Sequence, residues 1–263
     1  MSVPTRILIS GATGRMGRTV ARLAAADPDF IVVGGLDREG ASDPPEEVPE
    51  VATPANPGSL LGSADVVIDF SAPAFLRQVL TTRSESGDTT GLVVGTTGLS
   101  SEDRILLERA SESAPVLTAA NFSVGVNLLL MLAEQAAASL GQRFDVEIVE
   151  THHRRKEDAP SGTALALGEA VASGRSVDLD EVRRDGRSGR PGPRPDGEIG
   201  FHSLRGGDVI GEHHVHFIGE LERIDLTHRA EDRAVFAAGA LRAARWLAAQ
   251  KPGFYSMRDV LGL

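Results

Sequence analysis

A short apolar strand, residues 6–10, runs straight into Gly11-Ala12-Thr13-Gly14-Arg15-Met16-Gly17 and then into a helical pattern through residue 25. Strand, glycine turn and helix in that order restrict the start of the chain to a nucleotide-binding topology. The glycines let the backbone approach a pyrophosphate, and the helix start offers unpaired N–H groups and a positive dipole end. The spacing is G-x-x-G-x-x-G rather than the usual G-x-G-x-x-G. A second strand, residues 30–36, ends at Asp37-Arg38. An acidic residue about 20 positions past the glycines reads a ribose 2′-OH, so Asp37 favours NAD. Arg38 beside it suits a 2′-phosphate, so NADP fits as well.

Further apolar strands at 65–70, 91–94 and 115–117 alternate with helices starting near residues 74 and 100, the second capped by Ser100 with Asp103 three positions on. Alternation of this kind predicts an α/β, Rossmann-type, doubly wound parallel sheet. Ligands bind at the carboxyl ends of such strands. Gly95, Thr96 and Thr97 fall at one such end, and Ala119, Ala120, Asn121 and Phe122 at another. Past a helix over 124–140 the pattern changes to long alternating segments at 198–204, 209–218 and 221–227. These predict a second, α+β domain built on a mostly antiparallel sheet. The expected division is 1–122 for dinucleotide binding and 123–232 for substrate binding and oligomerisation, with 233–263 packing back on the first. An antiparallel sheet with one open face is suited to pairing subunits, so a homo-oligomer is expected.

The chemistry concentrates in residues 151–163, THHRRKEDAPSGT, between an alternating strand and an Ala/Leu-rich helix. Lysine occurs only at 156 and 251 in a chain with 27 Lys plus Arg. Unlike arginine, a lysine can be tuned to release its proton. His152, His153 and Lys156 therefore form a proton-transfer set, and Ser161-Gly162-Thr163 opening a helix forms an anion seat. Glu157 and Asp158 orient the basic groups or cap the turn. Strand alternation in Glu212-His213-His214-Val215-His216 puts His214 and His216 on one face and His213 on the other, which suits sheet-face histidines better than a metal site. The basic, Gly/Pro-rich stretch 183–194 reads as a solvated loop or a mobile flap over an anionic substrate.

A formal charge of −10 argues against nucleic acid or an anionic membrane as partner, and the absence of cysteine excludes disulfides and thiolate metal sites. The most apolar run, 124–133, falls short of the roughly 20 residues that cross a bilayer. No basic-then-apolar leader is read at the start, so a cytoplasmic location is expected.

The motifs at 11–17, Gly95-Thr96-Thr97-Gly98, Ala119 to Asn127, 152–163, Arg205 to His213 and Met257 to Leu261 resemble the dihydrodipicolinate reductase family, in order and along essentially the whole chain. The resemblance implies an enzyme that uses NADH, NADPH or both to reduce a cyclic dicarboxylate carrying a C=C–C=N system, in lysine and diaminopimelate biosynthesis. It implies that Gly11, Ala12, Thr13, Gly14, Arg15, Met16, Asp37, Arg38, Gly95, Thr96, Thr97, Ala119, Ala120, Asn121 and Phe122 bind the cofactor. It further implies His152 and Lys156 as the acid–base pair, His153, Gly162 and Thr163 as substrate contacts, no metal, and a cytoplasmic homotetramer. Thr13 stands where the family usually has a smaller residue. Two other readings are a dehydrogenase acting on an amino acid or semialdehyde, and a non-catalytic dinucleotide sensor. Neither calls for H-H-x-x-K followed by S-G-T.

Overall fold

The structure, a computed structural model, describes residues 3–262 and divides into two compact units. The first comprises residues up to Val124 together with those from Ala234, and the second runs from Gly125 to Arg233.

In the first unit the chain order is β1 (Thr5–Ser10), α1 (Arg15–Ala25), β2 (Phe30–Leu36), β3 (Val51–Ala52), α2 (Leu60–Ser63), β4 (Val66–Asp69), α3 (Pro73–Ser86), β5 (Gly91–Val94), α4 (Ser101–Ser111) and β6 (Pro115–Thr118). The strands make one parallel sheet, and a strand from the far end of the chain joins it next to β6. Its order is that of a doubly wound nucleotide-binding sheet, with the switch point between β1 and β4. Val66, Val67 and Ile68 are fully buried because helices cover both faces, which is why β4 reads as an unbroken apolar run. The α4 start is closed by reciprocal bonds, Asp103 N–H to Ser100 Oγ at 3.2 Å and Ser100 N–H to Asp103 Oδ2 at 2.8 Å.

The second unit opens with α5 (Val124–Leu140), continues through β7 (Asp145–His152), α6 (Gly162–Arg175), α7 (Leu179–Val182), β8 (Arg183–Asp185), β9 (Ile199–Arg205) and β10 (Gly211–Ile218), and closes with β11 (Arg223–Ala230). Its sheet order is β11-β10-β7-β9-β8. The sheet is mixed: β10 pairs antiparallel with β7 and β11, whereas β9 pairs parallel with β7 and β8. Parallel pairing of β7 with β9 follows from the helical crossover between them, which returns the chain to the same end of the sheet. Every second residue of β7 is buried. Val146 and Ile148 pack with Phe201 and Phe217 under α5 and α6, and the opposite face stays open.

Two sequence expectations change here. The helix spans Val124–Leu140 as expected, but its apolar character does not end with the run 124–133. Within the 20-residue stretch Val124–Arg143 an 18-residue segment has mean hydropathy 1.4, so by length and composition alone it could cross a membrane. In the structure its Leu129, Ala133 and Ala137 pack into the core of the second unit. The stretch 183–194 is not a free flap. It contains strand β8, and Arg187 and Arg194 both donate to Glu147, with Arg194 also on Asp145 at 2.6 Å. Their charge is consumed on the sheet's open face and is not available to a substrate.

The chain returns to the first unit with α8 (Ala234–Leu247), β12 (Gly253–Tyr255) and α9 (Met257–Leu261). Small residues let α8 approach the sheet closely. Ala237, Ala240, Ala243, Ala244 and Leu247 lie in the core with Ile7, Ile9 and Leu117. Gly239 is pressed on the Phe122 carbonyl, where a Cβ would overlap the oxygen. Gly239→Ala is therefore expected to cost about 1–3 kcal/mol, read as a lower thermal midpoint, whereas Ala238→Gly beside it makes only the usual loss of helix propensity.

Candidate active site

At the switch point of the first unit, Gly11 has φ +77°, a left-handed conformation that suits glycine. A Cβ there would also press on the Phe70 carbonyl oxygen at 3.1 Å, and one on Gly17 would overlap the Gly11 oxygen. These contacts bring the loop backbone and α1 against the strand ends. Helix α1 starts at Gly14 with no side-chain cap and no acid in its first turn, so its first N–H groups face no competing carboxylate. Together these form a cradle that a pyrophosphate fits, and the residues suit a dinucleotide.

Asp37, at the end of β2, is 9% exposed. Its Oδ2 accepts from Thr13 N–H at 2.8 Å and Thr13 Oγ at 2.7 Å, and its Oδ1 accepts from Arg38 N–H at 2.8 Å. The unusual Thr13 thus latches the glycine loop to the acidic residue. Oδ2 thus has both lone pairs filled, and Oδ1 keeps one for a ribose hydroxyl. The Arg38 side chain is exposed beside it. Thr96, Thr97, Ala119 and Ala120 line a cavity of about 340 Å³ at the ends of β5 and β6. Ala12 and Phe122 are buried, so only their backbone can meet a ligand; the Phe122 ring lies edge-on to Phe70 at 5.6 Å. Asn121 is partly exposed and its Oδ1 accepts from Ser123 N–H at 2.9 Å.

Sequence reasoning overlooked Asp69, at the end of β4. It is fully buried, and its carboxyl receives hydroxyls from Ser10, Ser71 and Thr96. Burial raises its pKa despite those bonds, because no cation stands opposite it. The sequence signal was present: an acid ends an otherwise apolar central strand.

In the second unit, β7 delivers Glu150 and His152 onto the buried face, alternating with Val149 and Thr151. His152 Nδ1 lies 2.5 Å from Glu150 Oε2. Arg205, at the end of β9, donates to both Glu150 oxygens at 2.7 and 2.8 Å, and Ser161 N–H donates to Oε1 at 3.1 Å. Burial opposes ionisation of Glu150, but these donors outweigh it and hold the carboxyl at about 2. Its stabilisation is therefore complete above the ordinary glutamate value and is lost as pH falls towards 2. His152 is pushed below the ordinary histidine value, first by burial and then by Lys156 and Arg205, against the pull of Glu150.

The loop after β7 is tied to the β9–β10 turn by Gly206 N–H to His152 O at 3.0 Å and Arg154 N–H to Gly207 O at 3.2 Å. Lys156 N–H donates to His153 O at 3.1 Å, closing a turn that places its side chain. Lys156 Nζ sits 2.8 Å from Asp158, whose pKa it lowers, and its side chain is 19% exposed. His153 keeps a buried Nδ1 with no hydrogen-bond partner. Ser161 caps α6, its Oγ accepting from Ala164 N–H at 3.2 Å, so Gly162 and Thr163 form the first turn of a 14-residue helix. His152 is thus tied through Glu150 to the start of α6, where Gly162 and Thr163 lie, and Lys156 is linked through Asp158 and Arg205 to the same carboxylate. Sequence reasoning left out Glu150, Arg205 and His213 here. His213 is 4% exposed, contacts Ser161 Oγ at 3.1 Å, and is held neutral by burial with a pKa of about 3. His214 and His216 stack on the open face at 6.0 Å, as strand alternation requires.

Two family models match the chain. One, described as dihydrodipicolinate reductase, N-terminus, matches residues 5–122, and the other, dihydrodipicolinate reductase, C-terminus, matches residues 125–261. The chain is 46% identical over 266 residues to a 4-hydroxy-tetrahydrodipicolinate reductase of Rhodopseudomonas palustris (strain HaA2), covering 98% of this chain and 97% of that protein. It is 48% identical over 258 residues to the protein of that name from Zymomonas mobilis, with the same coverage. Its fold is similar to that of the dipicolinate-bound dihydrodipicolinate reductase from Paenisporosarcina sp. TG-14, with a TM-score of 0.74, 24% identity, and 97% and 98% of the two chains covered.

The state of Asp69 is directly testable. Because its pKa is raised, its carboxyl favours folding below 3.8 and loses that contribution as pH rises through its folded value. Asp69→Asn, which mimics the neutral carboxyl, is expected to gain stability relative to the parent protein as pH rises above 3.8, in denaturation measured across pH. Asp69→Ala leaves three hydroxyls without their acceptor and loses about 1–3 kcal/mol at low pH.

Proposed function

The chain belongs to the dihydrodipicolinate reductase family, and from that premise we propose that His152 and Lys156 carry its acid–base chemistry on a cyclic dicarboxylate. The activity is the pyridine-nucleotide-dependent reduction of 4-hydroxy-tetrahydrodipicolinate to tetrahydrodipicolinate in lysine and diaminopimelate biosynthesis. The observation that supports the site assignment is the bonded chain that joins His152 and the Ser161-capped helix start through Glu150, and reaches Lys156 through Arg205 and Asp158.

NADH or NADPH, held in the first unit, would supply a hydride to the far end of the C=C–C=N system that the substrate acquires once its 4-hydroxyl has left as water. The glycine loop from Gly11 to Met16 cradles the pyrophosphate, Asp37 takes a ribose hydroxyl, and Arg38 takes a 2′-phosphate where there is one. The residues present thus fit NADH, NADPH or both. Gly95 to Thr97 and Ala119 to Phe122 complete that site at the ends of β5 and β6. The N–H groups of Gly162 and Thr163, with the helix dipole, seat one substrate carboxylate, and His153 donates to the dicarboxylate. Lys156, as an ammonium, stabilises the negative charge that reduction pushes towards the ring nitrogen. His152 gives its proton to the ring carbon that then needs one. Before substrate binds, burial, Lys156 and Arg205 keep His152 a weak base. Two substrate carboxylates counter those cations and raise its pKa, so the substrate itself arms the donor.

The open sheet face of the second unit, bearing Glu147, Val149, His214 and His216, supports assembly of the family's homotetramer through this unit. A cytoplasmic location follows from the biosynthetic role.

Two outcomes are expected. Lys156→Ala retains cofactor binding, measured by nicotinamide fluorescence titration, while kcat falls about 10²–10⁴-fold; undiminished turnover removes the role given to Lys156. The pH profile of kcat/KM loses activity with rising pH below the ordinary histidine value of 6.5, since the donor must be protonated and its free-protein pKa is lowered. The matching limb in kcat lies at higher pH.

A further inference from the structure

We propose that Glu150, clamped by Arg205, is the positioning residue of the reaction: it fixes the tautomer of His152 and ties that donor to the helix start that seats the substrate. The inference rests on the reductase reading of the site. An ionised carboxylate can only accept, so the 2.5 Å contact of Glu150 Oε2 with His152 requires the proton on Nδ1. Nε2 is then the nitrogen that exchanges protons with a substrate. It sits over Gly211, where an added Cβ would come within 3.0 Å of it. The other oxygen of the same carboxylate accepts Ser161 N–H at 3.1 Å, and Ser161 caps α6. One side chain therefore sets the spacing between the proton donor and the carboxylate seat.

Arg205 gives this device its second property. Bonded to both Glu150 oxygens, it offsets part of the pull of that carboxylate on His152 and so leaves the imidazole readier to release its proton. The charged and titratable groups facing His152 are Glu150 on its own strand, Lys156 in the following loop, Arg205 on β9 and His213 on β10, whose ring lies 5.2 Å away, edge-on. Glu150 raises the basicity of His152, and Lys156 and Arg205 lower it.

The test is the pH profile of kcat and kcat/KM for the full-length protein and for Glu150→Gln, Arg205→Gln and Arg205→Lys, with cofactor affinity measured alongside. Glu150→Gln is expected to lower kcat roughly 10²-fold or more through the lost tautomer, with cofactor affinity unchanged and the His152 limb moved to lower pH. Arg205→Gln is expected to move the limb the opposite way, by about one pH unit, and Arg205→Lys, which keeps the charge, to restore it. Limbs that stay in place, or that move in the same direction in Glu150→Gln and Arg205→Gln, overturn the proposal. If Glu150→Gln does not fold, Arg205→Gln against Arg205→Lys decides alone: an upward shift in the first that the second reverses supports the proposal, and equal limbs overturn it. Failure of the reductase reading is distinguishable, because the unmutated protein would then bind cofactor and oxidise none of it.

Discussion

One carboxylate, 1% exposed, holds the second unit's chemistry in place. Glu150 binds the imidazole of its own strand, the guanidinium of β9 and the N–H that precedes α6. A charge buried this deeply is tolerated only when its lone pairs are filled and a counter-charge stands beside it. Arg205 meets that condition, and in meeting it also pins the end of β9 beside β7. The arrangement is both the reason the loop of residues 153–160 starts and ends where it does and the reason the donor histidine has a defined free nitrogen.

The first unit contains the opposite solution to the same problem. Asp69 is as deeply buried as Glu150, but its partners are the hydroxyls of Ser10, Ser71 and Thr96. Hydroxyls can accept as well as donate, so they suit a neutral carboxyl, and burial prevails. Asp69 thus joins the ends of β1, β4 and β5 through hydroxyl donors rather than through a cation. Two buried acids, one surrounded by cations and donors and the other by hydroxyls, end with pKa values displaced in opposite directions.

Much of this was legible in the sequence where local rules act alone. The parallel strands announced themselves as unbroken apolar runs, the glycine loop by its context, and the α4 start by Ser100 and Asp103. The His152 to Thr163 cluster was visible because lysine is so scarce in this chain. What stayed hidden depends on strands distant in sequence. Glu150 looked like an ordinary polar member of an alternating strand until β9, 55 residues away, brought Arg205 to it. The mixed pairing of the second sheet was hidden because alternation reports which face is buried, not the direction of the neighbour. The stretch 183–194 read as a solvated loop or a substrate flap, since nothing local showed that Glu147 would take Arg187 and Arg194. Thr13 looked out of place until Asp37 supplied its partner.

The account stands most directly on whether the purified chain turns over. NADH and NADPH oxidation should be followed with freshly condensed pyruvate and aspartate semialdehyde, and with each component alone. Oxidation of the cofactor only when the condensed cyclic dicarboxylate is present, with tetrahydrodipicolinate as the product, is the predicted result. A folded, cofactor-binding protein that oxidises neither cofactor with the condensed substrate would contradict it.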